Sequence, residues 1–584
     1  MVFAACAGGG VYAYNLYNSA KVVKGHAQDA MASLKDCMKA VKATDANAFD
    51  QSVHKVSDDA HAMQQELSKT SWVVASNIPF VGSDVRSVRT ISDVMVDLAD
   101  NGLVPLSQSS DVLNLSTLMQ DSTVNIDALR SLSDVIREAH PVITRSADTV
   151  ESLPPARIKQ IGDVLEPARE ALTSASGALN HVLPMLEYLP DMLGADGQKK
   201  TYLVLGNNIA EIHAIGGFVG MVGTITAEDG HLSLEEFIKT NVVLDQNGGA
   251  RVGATEEEID LFGPRCDTNH GDINIIPDFS RVGELYYNIW DMYEHGTVDG
   301  VLSFDSVFLQ DMLGLVGSID TSFGETVDST NATRMTLNES LFMWEPDDCD
   351  DFYKEIANKT FERVLDKLGS IDTLEFLNII VKNADEGRCI AWLADPAAEE
   401  AVKVAGFGLS LGHDPKKPTT GFYISDNMAS KAGYYLSIDS SVGEPTVNPD
   451  GSKSYPVTVA LTHNADPDLA KGEVPSYLSS GLQNQYEVSR LSLREETTIL
   501  APEGGRIENL TSEYQNLSRP DYGINWAEKS YQGLDAWHTE LIIDAGESII
   551  FNYTVVTSPE ANEPLRVVHS PVVPHEVRED ESRL

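Results

Sequence analysis

The sequence predicts a multidomain α+β protein, with an N-terminal helical bundle or stalk, a central mixed α/β sheet domain and a C-terminal antiparallel β-sandwich. Three observations predict it. Apolar residues recur at spacings of three and four as far as about residue 195. Strand and helix patterns then alternate, and from about residue 430 apolar and polar residues alternate at a period of two. At 584 residues the chain is long enough for several domains, each burying its own core.

Charge excludes one class of partner. The chain has 42 Lys+Arg against 88 Asp+Glu, a formal net charge of -46, which repels phosphate backbones and makes nucleic acid an unsuitable ligand. With 42% hydrophobic and 22% charged residues the chain is globular, so its acidity is a solvated surface. Five cysteines, Cys6, Cys37, Cys266, Cys349 and Cys389, show no paired spacing suited to zinc or a redox dithiol. Cys349 with Cys389 is the one pair considered for a disulfide, against isolated thiols in a core.

Residues 1–19 carry no charge, and Lys21, Lys24 and Lys35 follow. The stretch is shorter and richer in glycine than the roughly 20 apolar residues a spanning helix needs. Two readings stay open: a truncated membrane anchor, or an apolar terminus packed on the next helix. Residues 20–197 read as a helical stalk or bundle. Val23, Ala27, Ala30, Leu34 and Val41 stripe one helix face, and Phe49, Val53, Val56, Ala60, Met63 and Leu67 repeat the pattern after a break at 44–47. Asp84 is expected to cap a third helix, while Pro79, Pro105, Pro141 and Pro154-Pro155 punctuate the series.

Residues 198–425 read as an α/β core with a helical extension. Strands are expected at 202–205, 219–227 and 232–238, with Glu228-Asp229-Gly230 as a hairpin turn. A helix at 277–290 leads to a strand at 300–304, and Asp305 caps the helix that follows. Asp347-Asp348-Cys349-Asp350-Asp351 reads as the start of a further helix, complementing its dipole. Residues 426–568 read as the sandwich, with Tyr455, Val457, Val459 and Leu461 alternating with polar residues, as do Ile549, Phe551 and Tyr553. Residues 569–584 read as a disordered acidic tail.

One stretch points to a ligand. In YLVLGNNIAEIHAIGGF, 202–218, a buried strand ends in Gly206-Asn207-Asn208, residues that tolerate left-handed backbone, and Gly216-Gly217 permits close backbone approach. Glu211 and His213 lie two apart, which on a strand puts both on one face as an acid/base pair or leaves a structural, hydrogen-bonded histidine. Asp267, Asn269, Asp272 and Asp278 are oxygen donors on a short segment suited to calcium, although no glycine falls where an EF-hand loop needs one.

This stretch, together with IIPDFSRVGELYYNIW, TVDGVLSFDSVFLQDMLGLVG and NMASKAGYYL, resembles an uncharacterised cell-envelope family, a domain of unknown function common in high-GC Gram-positive bacteria. Asn207, Glu211, Gly216, Gly217, Phe218, Pro277, Asp278, Asp299 and Gly300 match its core positions. His213 stands where the family has arginine and Ile215 where it has a small hydroxyl residue, so an anion contact from that arginine does not carry over. More distantly, the order of the core is similar to LytR-CpsA-Psr phosphotransferases, which move glycopolymers from polyprenyl pyrophosphate carriers to the cell wall. That similarity sets Asn208 at a metal-binding aspartate and Asn274 at an asparagine of those enzymes, with Arg265, Arg281 and Arg334 as the nearby cations.

The resemblance implies a protein of the cell membrane with a single N-terminal anchor and the bulk of the chain extracytoplasmic. The expected function is non-catalytic binding of a cell-wall glycan or surface protein. The ligand-binding candidates are Asn207, Asn208, Glu211, His213, Gly216, Gly217, Asn274, Asp278 and Arg281. No cofactor is required by this reading, with magnesium or calcium as the candidates. The alternative is a divalent-metal-dependent phosphotransferase, which needs converging cations to offset charge on the transferring phosphoryl oxygens. The acidic sequence offers few of these.

Overall fold

The computed structural model describes residues 2–42, 45–79, 81–108, 118–120, 122–244, 250–371 and 373–575. The chain is multidomain α+β, with a helical N-terminal region and a β-rich C-terminal region. It divides into two compact units, 1–198 with 229–231 and 199–228 with 232–584.

In the helical unit, α1 (Val2–Lys42) lies along α2 (Ala46–Leu67). The apolar stripe expected on α2 is buried: Val53 and Ala60 are fully enclosed and Val56, Met63 and Leu67 nearly so. Asp45 caps α2 by accepting from the Ala48 amide at 2.9 Å. Residues 2–19 open α1, and among the described residues no helix is long and apolar enough to cross a membrane.

Two local expectations are corrected here. Asp84 does not cap α3 (Gly82–Asp97); its buried carboxylate accepts from the amides of Arg157 at 3.0 Å and Ile158 at 2.7 Å. Pro141 does not end a helix but lies inside α4 (Ile126–Glu151), and Pro167, Pro184 and Pro190 lie inside α5 (Lys159–Met192). A proline removes one backbone donor and crowds the preceding turn. Burial of Leu129, Ala139, Val142, Ala147 and Val150 along α4 outweighs that cost.

The second unit begins with a sheet containing β1 (Lys199–Asn208), β2 (Phe218–Glu228), β3 (His231–Lys239), β4 (Gly300–Asp305) and β5 (Cys389–Leu393), ordered β3-β2-β1-β4-β5. Strands β1 and β4 pair in parallel, which needs the long connection between them, while β1 with β2 and β4 with β5 pair antiparallel. Asp229 and Gly230 take positive φ of 47° and 80° at the expected hairpin turn. Helix α6 (Phe279–Met292) buries Phe279, Val282, Leu285, Tyr286 and Ile289 against Leu203, Leu205 and Val301. Gly283 permits its approach, since a Cβ there meets Trp392 at 2.4 Å. The opposite face carries Phe237 and Phe304, whose ring centroids lie 5.7 and 4.9 Å from Phe361 on α8 (Pro346–Lys367). Between β4 and α8, Asp305 caps α7 (Ser306–Val316) as expected, accepting from the amides of Val307 and Phe308 at 2.9 Å.

Beyond β5 the chain forms two further sheets. One holds β6 (Thr419–Asp426), β9 (Leu493–Leu500), β11 (Ala527–Tyr531), β12 (Leu534–Ile543) and β14 (Arg566–His569). The other holds β7 (Leu436–Val442), β8 (Lys453–His463), β10 (Arg506–Gln515) and β13 (Ser548–Val556). The period of two is expressed in register: Val457, Val459 and Leu461 oppose Tyr553, Phe551 and Ile549, all buried. Phe422 on β6 and Phe551 on β13 bring the two sheets together, with centroids 5.1 Å apart.

This arrangement differs from the expectation in three places. The first of the two sheets is mixed, because β6 pairs parallel with β14. Strand β6 begins before residue 426, and its nearly continuous burial removes the alternation that marks half-buried strands. Residues 569–575 are not a free tail: His569 ends β14 and Val573 is fully enclosed. Residues 576–584 lie outside the described residues. Cys349 and Cys389 are free thiols rather than a disulfide.

Candidate functional site

The site is built where β1 ends. After a bulge between Gly206 and Asn207, the chain leaves the strand at Asn208 and runs through a buried irregular segment to Gly217. Gly216 and Gly217 have φ of 75° and 148°. A Cβ on Gly217 lands 2.2 Å from the Asn208 carbonyl oxygen, and one on Gly216 lands 2.6 Å from Asn207 Nδ2. Both positions therefore require glycine.

A buried amide relay holds this turn. Asn274 Nδ2 donates to the Gly217 carbonyl at 3.0 Å and to Asn207 Oδ1 at 3.1 Å, and Asn207 Nδ2 donates to Ser303 Oγ at 2.7 Å. The Ile215 amide donates to the Asn274 carbonyl at 3.0 Å. The glycine turn is thereby tied to β4 and to the 273–275 turn.

Beside it opens a cavity of about 690 Å³. Asn207, Asn208 and Glu211 line it from the β1 side, and Arg265, Asn269 and Asp272 from the segment before α6. Asp350 and Tyr353 of α8, Tyr477, and the residues Asn427, Met428, Ala429 and Lys431 form a further part of the wall, and Phe218, Met221, Phe304, Leu309 and Leu337 give it an apolar part. Its cations are all engaged. Lys239 Nζ lies 3.2 Å from Asp350 and 3.4 Å from Asp347. Lys431 Nζ lies 3.6 Å from Glu211 and 4.3 Å from the centre of the Tyr477 ring. Arg265 Nη1 donates to the Asp426 carbonyl at 2.6 Å and lies 3.8 Å from Asp272, and its Nη2 lies 3.6 Å from Glu496.

Below this wall lies a layer of buried acid. Asp426 ends β6 directly opposite Glu495 on β9, and Glu496 follows. Glu495 is fully enclosed, and neither of its carboxylate oxygens has a hydrogen-bond partner. Burial, and then the charge of Asp426, raise Glu495 well above the usual carboxylate range. Burial and then the charge of Glu211 push Asp426 up to about 7.

The sequence-derived candidates separate into three groups. Asn207, Asn208, Glu211, Asn269 and Asp272 face the cavity. Gly216, Gly217 and Asn274 shape it from behind. His213, Asp278, Arg281 and Asp267 serve elsewhere. His213 is fully buried, with Nε2 3.0 Å from Asp272 and Nδ1 2.7 Å from the Ile212 carbonyl, and Glu211 pairs with Lys431 instead. Of the two readings, His213 is the structural, hydrogen-bonded histidine, and the acid/base pair with Glu211 does not form, because residues 209–217 are not a strand. Asp278 caps α6 through the Ser280 amide at 3.1 Å and accepts from Gln532 at 2.9 Å. Arg281 is held by Glu258, at 2.8 Å, and by Glu284.

The expected calcium set is likewise dispersed. Asp267 accepts from Arg251 and from the amides of Val252, Gly253 and Ala254, while Asn269 donates to Asp272 at 2.8 Å. Among the described residues no group of three or more His, Cys, Asp or Glu side chains is arranged to hold a metal ion. Sequence reasoning did not select Lys239, Asp350, Lys431 or Tyr477, and it treated Arg265 only as a spare cation. The available signal was the NMASKAGYYL segment, which supplies Asn427, Met428, Ala429 and Lys431 to the wall.

Residues 197–340 match the family described as protein of unknown function (DUF4012). The matched stretch runs from β1 through the glycine turn, the amide relay and β4 to beyond α7. No curated protein and no solved structure matches the chain.

Proposed function

We propose that this cavity binds a saccharide, and that the chain is a non-catalytic, membrane-anchored, extracytoplasmic protein of the cell envelope whose ligand is a cell-wall glycan. In this reading the core is LytR-CpsA-Psr-like in fold only and the paired C-terminal sheets form a β-sandwich. The supporting observation is that each of the cations Lys239, Arg265 and Lys431 already faces a carboxylate of the wall, Asp350, Asp272 and Glu211 respectively. Amide side chains of Asn207, Asn208, Asn269 and Asn427 and the rings of Tyr353 and Tyr477 line it as well, beside apolar surface from Phe218, Met221, Phe304, Leu309 and Leu337. Planar polar groups beside aromatic rings suit hydroxyl-rich, largely uncharged ligands.

A phosphotransferase reading draws support from Arg265, which shares the cavity with Asn208. It is opposed by Arg281, which is committed to Glu258 and Glu284, and by Arg334, which donates to Glu339 at 2.7 Å. Titration calorimetry of the full chain against soluble cell-wall oligosaccharides tests the proposal. Binding that Asn208→Ala weakens supports it. Absence of any saccharide binding, or magnesium-dependent phosphate release from a polyprenyl pyrophosphate glycolipid that Arg265→Ala abolishes, refutes it.

A further inference from the structure

Asp426 anchors one wall of the cavity at both ends of a short turn. Its Oδ1 accepts from the Met428 amide at 3.1 Å and its Oδ2 from the Ser430 amide at 2.6 Å. Between those two tethers Ala429 is held at φ 55°, a left-handed conformation unfavourable for a residue with a Cβ. Beyond them Lys431 reaches Glu211 and the Tyr477 ring. The wall therefore depends on a carboxylate that can accept two hydrogen bonds at once.

The surroundings of that carboxylate oppose its charge. Glu495 faces it across the strand pair, and Glu211 from the segment after β1 and the neighbouring Glu496 add negative charge. On the positive side stand Arg265, which holds the backbone carbonyl of Asp426, and His213, which is bound to Asp272. Carboxylates enclosed together in a medium of low dielectric do not all ionise, so protons remain on the group.

We infer that the cavity is gated by pH: ionised Asp426 clamps the Asn427–Lys431 wall through two amides, and protonation of the Asp426 carboxyl, beside the enclosed Glu495, releases it. The inference rests on the reading of this cavity as a binding site and adds its regulation. A protonated carboxyl gives one acceptor oxygen over to a proton, so one of the two amides loses its charged partner. The strained Ala429 conformation then relaxes, and Lys431 moves off Glu211. The clamp is closed above neutral pH and open below it.

Amide hydrogen exchange of the full chain, corrected for intrinsic rates, reads the clamp without any ligand. Peptides covering 427–431 are expected to gain about tenfold in protection as pH rises from about 5.5 to 8.5, the scale of one charge-assisted hydrogen bond. The midpoint is expected near the value of about 7 at which Asp426 titrates, while β13 peptides stay unchanged. Asp426→Asn is expected to abolish the pH dependence, and Glu211→Gln, which keeps the clamp but removes a facing charge, to lower its midpoint. Protection that does not vary with pH in the wild-type chain, or a midpoint that Glu211→Gln leaves in place, overturns the inference. Saccharide titration at high pH is a separate measurement, so loss of the binding function and loss of the gate are told apart.

Discussion

Replacing Glu495 by glutamine removes a buried carboxyl without removing a hydrogen bond, because neither oxygen of Glu495 has a partner. In the folded chain this group is raised well above the usual carboxylate range by burial and by Asp426. The folded state keeps a proton that the unfolded state releases above its ordinary value near 4.5. The contribution of Glu495 to stability is thus fully present below that value and is lost as pH rises toward the folded titration point. Each pH unit over which the proton is retained costs about 1.4 kcal/mol, so the loss grows steadily as pH rises above the ordinary carboxylate range. Glutamine carries no proton in either state. Glu495→Gln is therefore expected to lie close to wild type near pH 5 and to gain on it as pH rises, by about 1.4 kcal/mol for each pH unit over which Glu495 keeps its proton. Urea unfolding of both chains, followed by tryptophan fluorescence at several pH values, gives the difference directly. An offset between the two chains that does not change with pH refutes the claim that Glu495 folds with its proton.

Three other substitutions probe the site and its support. Gly217→Ala places a methyl group 2.2 Å from the Asn208 carbonyl oxygen at a φ of 148°, and is expected to cost about 3 kcal/mol or more, measured as a lowered melting temperature. Arg519→Met leaves the fully enclosed Glu547, now 2.9 Å from Arg519, without its cation. A loss of about 3–5 kcal/mol in urea unfolding is expected, because this pair is enclosed, unlike an exposed pair such as Lys471 with Asp468. Lys431→Met keeps the apolar stem over Tyr477 but strands Glu211, and is expected to weaken saccharide affinity in calorimetry by about tenfold or more.

The elements were legible wherever one face of an element is buried and the other wet. Val53, Val56 and Ala60 on α2, and Val457, Val459 and Leu461 on β8, announce their period because burial selects apolar residues on one side only. Where both faces are covered the signal disappears, as on β6. Pro141 misled for a related reason: a local breaker signal carries no information about the tertiary burial that overrides it. Within the site, Asn207, Asn208, Glu211 and the glycine pair were visible as a strand end followed by permissive residues. Asp267 and Asp278 looked like metal ligands because sequence proximity does not report that backbone amides and Gln532 already occupy them.

By itself the sequence determined the order of helical and β-rich regions, the acidic balance of the chain, and the necessity of glycine where β1 turns back toward β2. These follow from steric limits on the backbone and from the period of burial, both of which act over a few residues. Only the tertiary structure decided which charges meet. Residues as distant as Glu211 and Lys431, or Lys239 and Asp350, neutralise one another in one cavity, while Asp426 and Glu495 are enclosed together beneath it. Coulomb energy depends on separation and on the surrounding dielectric. Neither quantity is written in the spacing of residues along a chain.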